Sequence, residues 1–261
     1  MPAESIQKSG TERVLILAKA LPHLGKSQGE LVCCAGVTEE GTWRRQYPVR
    51  FRFMQDDKKF KRWQWVSYEW KLPQNDKRTE SRRINEETVF PEKEMKSQHR
   101  AAFLQPLLVA TTSEAEKRQQ SLTLIRPEKP VFSWIKKSQE QIASERTAYA
   151  NAVKQLELDL SGFSEEKRAL DPCPYEFHYQ YTTRGQSHSH QCLDWETSAT
   201  FYNWKNKYGE EKALTELKRI FGEKYPAEGM AFVMGTHSRH PKTWLLIGVL
   251  KLNQSDQLSL F

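Results

Sequence analysis

Glu30-Leu31-Val32-Cys33-Cys34-Ala35-Gly36-Val37, then Thr38-Glu39-Glu40-Gly41, then Thr42-Trp43-Arg44-Arg45-Gln46-Tyr47-Pro48-Val49 is the stretch whose reading decides the fold. Two strand-length runs flank a short polar segment that ends in Gly, the pattern of an antiparallel hairpin. Upstream, 14–19 is a third apolar run of strand length. Downstream, 63–70 alternates, placing Trp63, Trp65 and Ser67 on one face and Val66, Tyr68 and Trp70 on the other. These runs predict a small antiparallel sheet in the N-terminal part.

The rest of the chain mixes periods. Residues 101–110 suit a buried strand or a short helix, with Pro106 opposing an unbroken one. Residues 122–126 read as a strand ended by Pro127, and 133–158, free of Pro and Gly, as containing a helix. Tyr175, Phe177, Tyr179 and Tyr181 alternate ahead of an Arg184-Gly185 turn. Helices are expected over 194–208, closed by Gly209, and over 210–225, with Leu214, Leu217, Ile220 and Phe221 on one stripe. Strands are expected at 230–234 and 244–250. The expected class is α+β: a small antiparallel sheet first, then a mixed helix and strand region. The division is a β-rich basic and aromatic domain at 1–110, an α+β domain at 111–252 and a tail at 253–261.

With 38% hydrophobic and 11% aromatic residues, the 261-residue chain is globular in composition and not disordered. It holds no run of eighteen apolar residues, so no membrane partner is expected. Met1-Pro2-Ala3-Glu4-Ser5 lacks the order of a signal peptide, and adjacent Cys33 and Cys34 suit no ordinary disulfide framework. A cytoplasmic, nucleoid-associated protein is expected. Walker, dinucleotide-binding, serine-elbow and zinc-protease motifs are lacking.

Charge is concentrated. Residues 41–83 carry thirteen Lys or Arg against five Asp or Glu, a net +8, while the rest of the chain sums to −1. Arg44, Arg45, Arg50, Arg52, Lys58, Lys59, Lys61 and Arg62 interleave with Trp43, Tyr47, Phe51, Phe53, Phe60, Trp63 and Trp65. Cations meet phosphates and aromatic faces stack on unpaired bases, so this segment is the expected DNA contact, with single-stranded or distorted DNA favoured. Each Trp taken alone reads instead as core. Lys77, Arg78, Arg82 and Arg83 extend the candidate patch.

A second cluster follows. Cys173, His188, His190 and Cys192 are candidate ligands for zinc or another divalent metal, since His188, His190 and Cys192 would share a strand face. His188, Asp194 and Glu196 are candidate catalytic residues, as metal ligands or as acid and base in phosphodiester cleavage. Asp194 also fits a helix N-cap, with Glu196 in the first turn.

Gln257-Leu258-Ser259-Leu260-Phe261 resembles the short peptide by which bacterial DNA polymerases and repair proteins hold the β sliding clamp, and all five positions match. The resemblance implies a partner, through Gln257, Leu258, Leu260 and Phe261, but neither fold nor reaction. The body resembles uncharacterised bacterial proteins over Gly41-Thr42-Trp43-Arg44-Arg45-Gln46-Tyr47-Pro48-Val49, His188 with Asp194-Trp195-Glu196, and Gly235-Thr236-His237 with His240-Pro241 and Trp244. The expected function is a DNA-binding genome-maintenance or replication-associated accessory factor recruited by the clamp. The alternative is a metal-dependent nuclease or other DNA-processing enzyme with the same recruitment, acting in defence against mobile DNA. A third reading is a reader of modified or RNA-containing DNA.

Overall fold

The computed structural model of the protein describes residues 7–25, 29–159 and 169–252, and the chain is α+β. The first half runs β1 (Ser9–Lys19), β2 (His23–Gly25), β3 (Gly29–Val37), β4 (Trp43–Val49), β5 (Gln64–Lys71), β6 (Ser81–Ile84), β7 (Phe90–Glu94) and α1 (Ser97–Leu104). Next come β8 (Leu108–Val109), α2 (Thr112–Lys117), β9 (Leu122–Ile125), β10 (Glu128–Lys136) and α3 (Gln139–Asp159). The last third is β11 (Tyr175–Thr183), β12 (Gln186–Gln191), α4 (Trp195–Tyr208), α5 (Glu210–Leu217), α6 (Tyr225–Glu228), β13 (Met230–Thr236) and β14 (Trp244–Lys251).

The N-terminal sheet is not the small open one expected. It closes into a five-stranded barrel in the order β1-β3-β4-β6-β5, with β5 returning to β1. The reason lies in β1. Its eleven residues are enough to pair twice: Ser9 to Leu15 with β5, and Leu15 to Lys19 with β3, with a register shift between Ile16 and Ala18. On the far side, parallel pairing of Arg45 with Ser81 and Gln46 with Arg82 joins β4 to β6. Closure removes free edges at these strands. The hairpin turn forms where it was read: Gly41 adopts φ +76° and donates its N–H to the Thr38 carbonyl at 3.0 Å.

Two strands are buried on both faces and join the barrel to the rest. Val14 and Ile16 of β1 point into the barrel with Val32, Val66, Tyr68 and Trp70. Leu15 and Leu17 point the other way, onto Leu122, Leu124, Ala231, Val233 and Ile247. β13 repeats the device, with Ala231 and Val233 facing that shared core and Phe232 and Met234 facing a third cluster under β10 and β11. Continuous apolar runs are what two covered faces require, and each such buried side chain contributes about 1.5–3 kcal/mol. At the crossing of β1 and β14, a Cβ on Gly248 would lie 2.7 Å from the Ala18 Cβ, so only Gly permits the approach.

Other boundaries shift for local reasons. Residues 101–110 divide between α1, a 3-10 turn containing Pro106, and the short strand β8. The front of 133–158 completes β10, so the helix there starts only at Gln139. The helix expected over 210–225 forms as α5 and α6 joined by a π-helical turn, Lys218–Lys224, and still buries Leu214, Leu217 and Phe221. Among the described residues no helix is long and apolar enough to cross a membrane.

Candidate functional site

The eight cations of the basic segment do not form one open face. Arg44 reaches Glu12 at 2.8 Å, Arg50 Glu86 at 2.8 Å, Arg52 Glu30 at 2.7 Å and Lys59 Asp56 at 2.6 Å. Arg62 holds Asp194 at 2.6 Å. Arg45 is 3% exposed and donates to the Ser121 carbonyl and hydroxyl. Lys58 is half-buried, and Lys61 is exposed. Among the four extension residues, Arg78 pairs with Asp76 and Arg82 with Glu12. Glu12, Glu30, Glu86 and Asp194 all lie outside 41–83, so a charge count along the chain cannot see the neutralisation. Trp43, Trp63 and Phe60 are core, as the single-residue reading has it, while Phe51 and Trp65 are half-buried.

Asp194 is a fully buried hub. One carboxylate oxygen accepts from the Glu196 N–H at 3.1 Å, the cap expected of this residue, and from Arg62 Nη2 at 2.6 Å. The other accepts from the Val249 N–H at 2.9 Å. Arg62 also donates to the Val249 carbonyl, so the pair ties the barrel to β14 and to the start of α4. Burial lowers the Arg62 pKa, but Asp194 and Glu196 more than offset it and hold the guanidinium above its ordinary value. Glu196 faces outward, 3.4 Å from Lys19. His188 is not part of this group: its Nε2 lies 2.7 Å from the Thr183 hydroxyl and its ring stacks on Tyr181. Of the three candidate catalytic residues, Asp194 and Glu196 share the start of α4, while His188 serves the β11–β12 hairpin.

The candidate metal ligands are likewise dispersed. His188 and His190 share a face of β12, as alternation requires, and His190 Nδ1 lies 3.2 Å from the Tyr181 hydroxyl. The strand ends at Gln191, however, and Cys192 turns into the core, bridging to Leu246, its Sγ 3.7 Å from the Thr197 hydroxyl. Burial pushes its thiol up to about 12. Cys173 and Cys192 both line one cavity, away from His188 and His190. No group of three or more His, Cys, Asp or Glu is disposed to hold a metal ion among the described residues.

Two concavities border the start of α4. The first, a cleft of about 670 Å³, carries Lys19, Lys61, Arg62, Arg100 and Lys251 against Glu94 and Glu196, with aromatic walls that include Phe51 and Trp195. Lys19 Nζ sits 4.6 Å over Phe51, and Arg100 sits 4.5 Å over Trp63, whose φ of +68° is uncommon for so large a residue. Of this set, only Lys61 and Arg62 are among the DNA contacts expected from sequence. Lys19, Arg100 and Lys251 come from distant parts of the sequence and give no local signal.

The second is a more apolar cavity of about 530 Å³ between the barrel end and α3, α4 and β13. One end holds Cys33, Arg45, Tyr47 and Arg78, together with Thr236 and His237. The His23 and Tyr47 rings stack there at 5.5 Å. Burial first, then His240, Arg239 and Arg78, hold His237 below its usual value, which marks this end as electropositive. Residues from all three stretches of body resemblance meet on its wall: Arg45 and Tyr47, Trp195, and Gly235 to His237.

A family model described as Domain of unknown function (DUF8757) matches residues 105–261, and one described as Domain of unknown function (DUF8758) matches residues 10–108. No curated protein matches the chain. Gln257, Leu258, Leu260 and Phe261 lie outside the described residues.

Proposed function

This chain belongs to the family described as Domain of unknown function (DUF8757), and from its own residues we propose that it is a DNA-binding accessory factor brought to replicating DNA by the bacterial β sliding clamp. The observation that carries the reading is the full match of Gln257-Leu258-Ser259-Leu260-Phe261 to the clamp-binding pattern. Extended peptides of this kind bind by seating alternate apolar anchors in a groove. Gln257 follows Leu252 by five residues, at most about 18 Å of chain, and the neighbouring Lys251 lines the cationic cleft. Clamp attachment there would hold the cleft against the DNA that the clamp encircles.

The cleft supports the DNA part of the reading. Lys61 is exposed there, and Lys19, Arg100 and Lys251 pair with the solvent-exposed carboxylates Glu196, Glu94 and Glu228, which phosphate can replace, while Phe51 and Trp195 supply faces for unpaired bases. Fluorescence anisotropy with single-stranded and duplex oligonucleotides over a salt series tests it. Lys61→Glu is the informative variant because Lys61 is exposed and its replacement leaves the core alone. It is expected to weaken binding and to reduce the salt slope by about 1, with Lys117→Glu, an exposed site outside the cleft, as the silent control. DNA affinity that Lys61→Glu leaves unchanged would remove the cleft from the proposal. No DNA binding by the full chain at low salt would remove the DNA function itself.

A further inference from the structure

Arg45 is a buried cation that no carboxylate meets directly among the described residues; the buried Glu80 reaches it only through Ser121, whose N–H and hydroxyl donate to that carboxylate at 2.7 and 3.1 Å. The Arg45 guanidinium donates to the Ser121 carbonyl at 2.8 Å, to the Ser121 hydroxyl at 3.2 Å and to Cys33 Sγ at 3.6 Å, all neutral acceptors. Its Nε is buried with no partner, and so is the Thr236 hydroxyl. The two residues are neighbours, because the Thr236 N–H donates to the same Ser121 carbonyl at 2.9 Å. Buried donors and charges are ordinarily matched, and an unmatched set beside a cavity indicates an absent acceptor. Arg78, ion-paired with Asp76, donates to the Thr236 carbonyl at 2.8 Å and so fixes that residue at the same end. Beyond this end Leu21, Phe177, Leu193 and Tyr202 supply apolar and aromatic wall, and Lys137, Glu145, Asp171 and Glu176 also line the cavity.

We propose that this cavity binds a small organic anion built as a flat ring carrying one compact oxyanion, with the oxyanion at Arg45 and Thr236 and the ring against Tyr47 and the apolar wall. A volume of about 530 Å³ lies within the range of small-ligand sites. The ring is inferred from the half-buried Tyr47, which stacks on His23, and the oxyanion from the unpartnered Arg45 Nε and Thr236 hydroxyl, which no direct carboxylate meets. A slight shift of Arg45 and rotation of the Thr236 side chain would bring both donors to bear. Nucleotides and aromatic carboxylic acids share this chemistry. The proposal does not depend on clamp or DNA binding.

The test is calorimetry on the full chain with AMP and CMP, with indole-3-acetate, with the neutral nucleosides adenosine and cytidine, and with inorganic phosphate. A ring-bearing anion is expected to bind about tenfold or more tighter than its neutral ring or than phosphate, the worth of one charge-assisted hydrogen bond. Success of the nucleotides alone would identify a phosphate ligand, and success of the indole acid alone a carboxylate ligand. Either result supports the site. Bound ligand is expected to slow alkylation of Cys33 and Cys173, the two half-buried thiols on the cavity wall. Thr236→Val should weaken binding while holding or raising the melting temperature, because it removes an unpartnered buried hydroxyl. Leu21→Trp, which fills the apolar wall, should abolish binding in a protein that still melts cooperatively. Neutral rings that bind as well as their anions would overturn the proposal, as would the failure of every probe or tight binding undisturbed by Leu21→Trp.

Discussion

Asp194 joins two backbone N–H groups and the Arg62 guanidinium with two oxygens, and this decides how its substitution reads. As a helix cap alone, Asn would replace it at almost no cost. Its partnership with Arg62 is different, since that side chain is 12% exposed and has no other carboxylate within ion-pair distance among the described residues. Asp194→Asn strands the cation, and we expect a loss of about 3–5 kcal/mol, the cost of breaking a buried pair from one side. Urea unfolding measures it, and a loss below about 1 kcal/mol would return Asp194 to the role of a cap. The cap was legible because a short acidic residue preceded a helical run and Glu196 followed in its first turn. The partner was not, since Arg62 lies 132 residues away in the chain.

The hairpin of β11 and β12 shows what the period of a sequence can and cannot deliver. Alternating Tyr175, Phe177, Tyr179 and Tyr181 predicted the strand, and Arg184-Gly185 turns it with φ of +46° and +77°. The side on which the histidines would find partners was not legible: the Tyr181 ring packs against both His188 and His190. Burial, then the neighbouring His188, holds the His190 imidazole below its usual value of 6.5, against one opposing backbone hydrogen bond. The unfolded chain therefore takes up a proton that the folded chain resists. The sign follows: His190 costs nothing well above about pH 6.5, and stability is lost as pH falls through that value. Between about pH 7.5 and 5.5, the melting temperature should fall further for the native protein than for His190→Gln. Parallel decreases in the two proteins would show that His190 is not a source of the acid sensitivity.

At the scale of the molecule, the barrel and the C-terminal sheet are built on one core. β1 and β13 each offer one face to it, and Gly248 allows the backbones to cross. Individual strands were readable from apolar runs and turns. Closure was not, because β1 pairs with β5 and β4 with β6 across loops that carry no pairing signal. The pairing of the basic segment was not legible for the same reason: Glu12, Glu30, Glu86 and Asp194 reach it from elsewhere in the chain. Surface function then falls to the cleft and the cavity, both assembled from residues far apart in sequence, and to the pentapeptide beyond Leu252. The clamp is the central claim. Calorimetric titration of purified β clamp into the full chain and into a chain lacking residues 257–261, with both melting temperatures recorded, tests it most directly. The account predicts saturable binding by the full chain, none by the truncated one, and equal melting temperatures. Equal clamp affinity of the two proteins, or no binding by either, would contradict it.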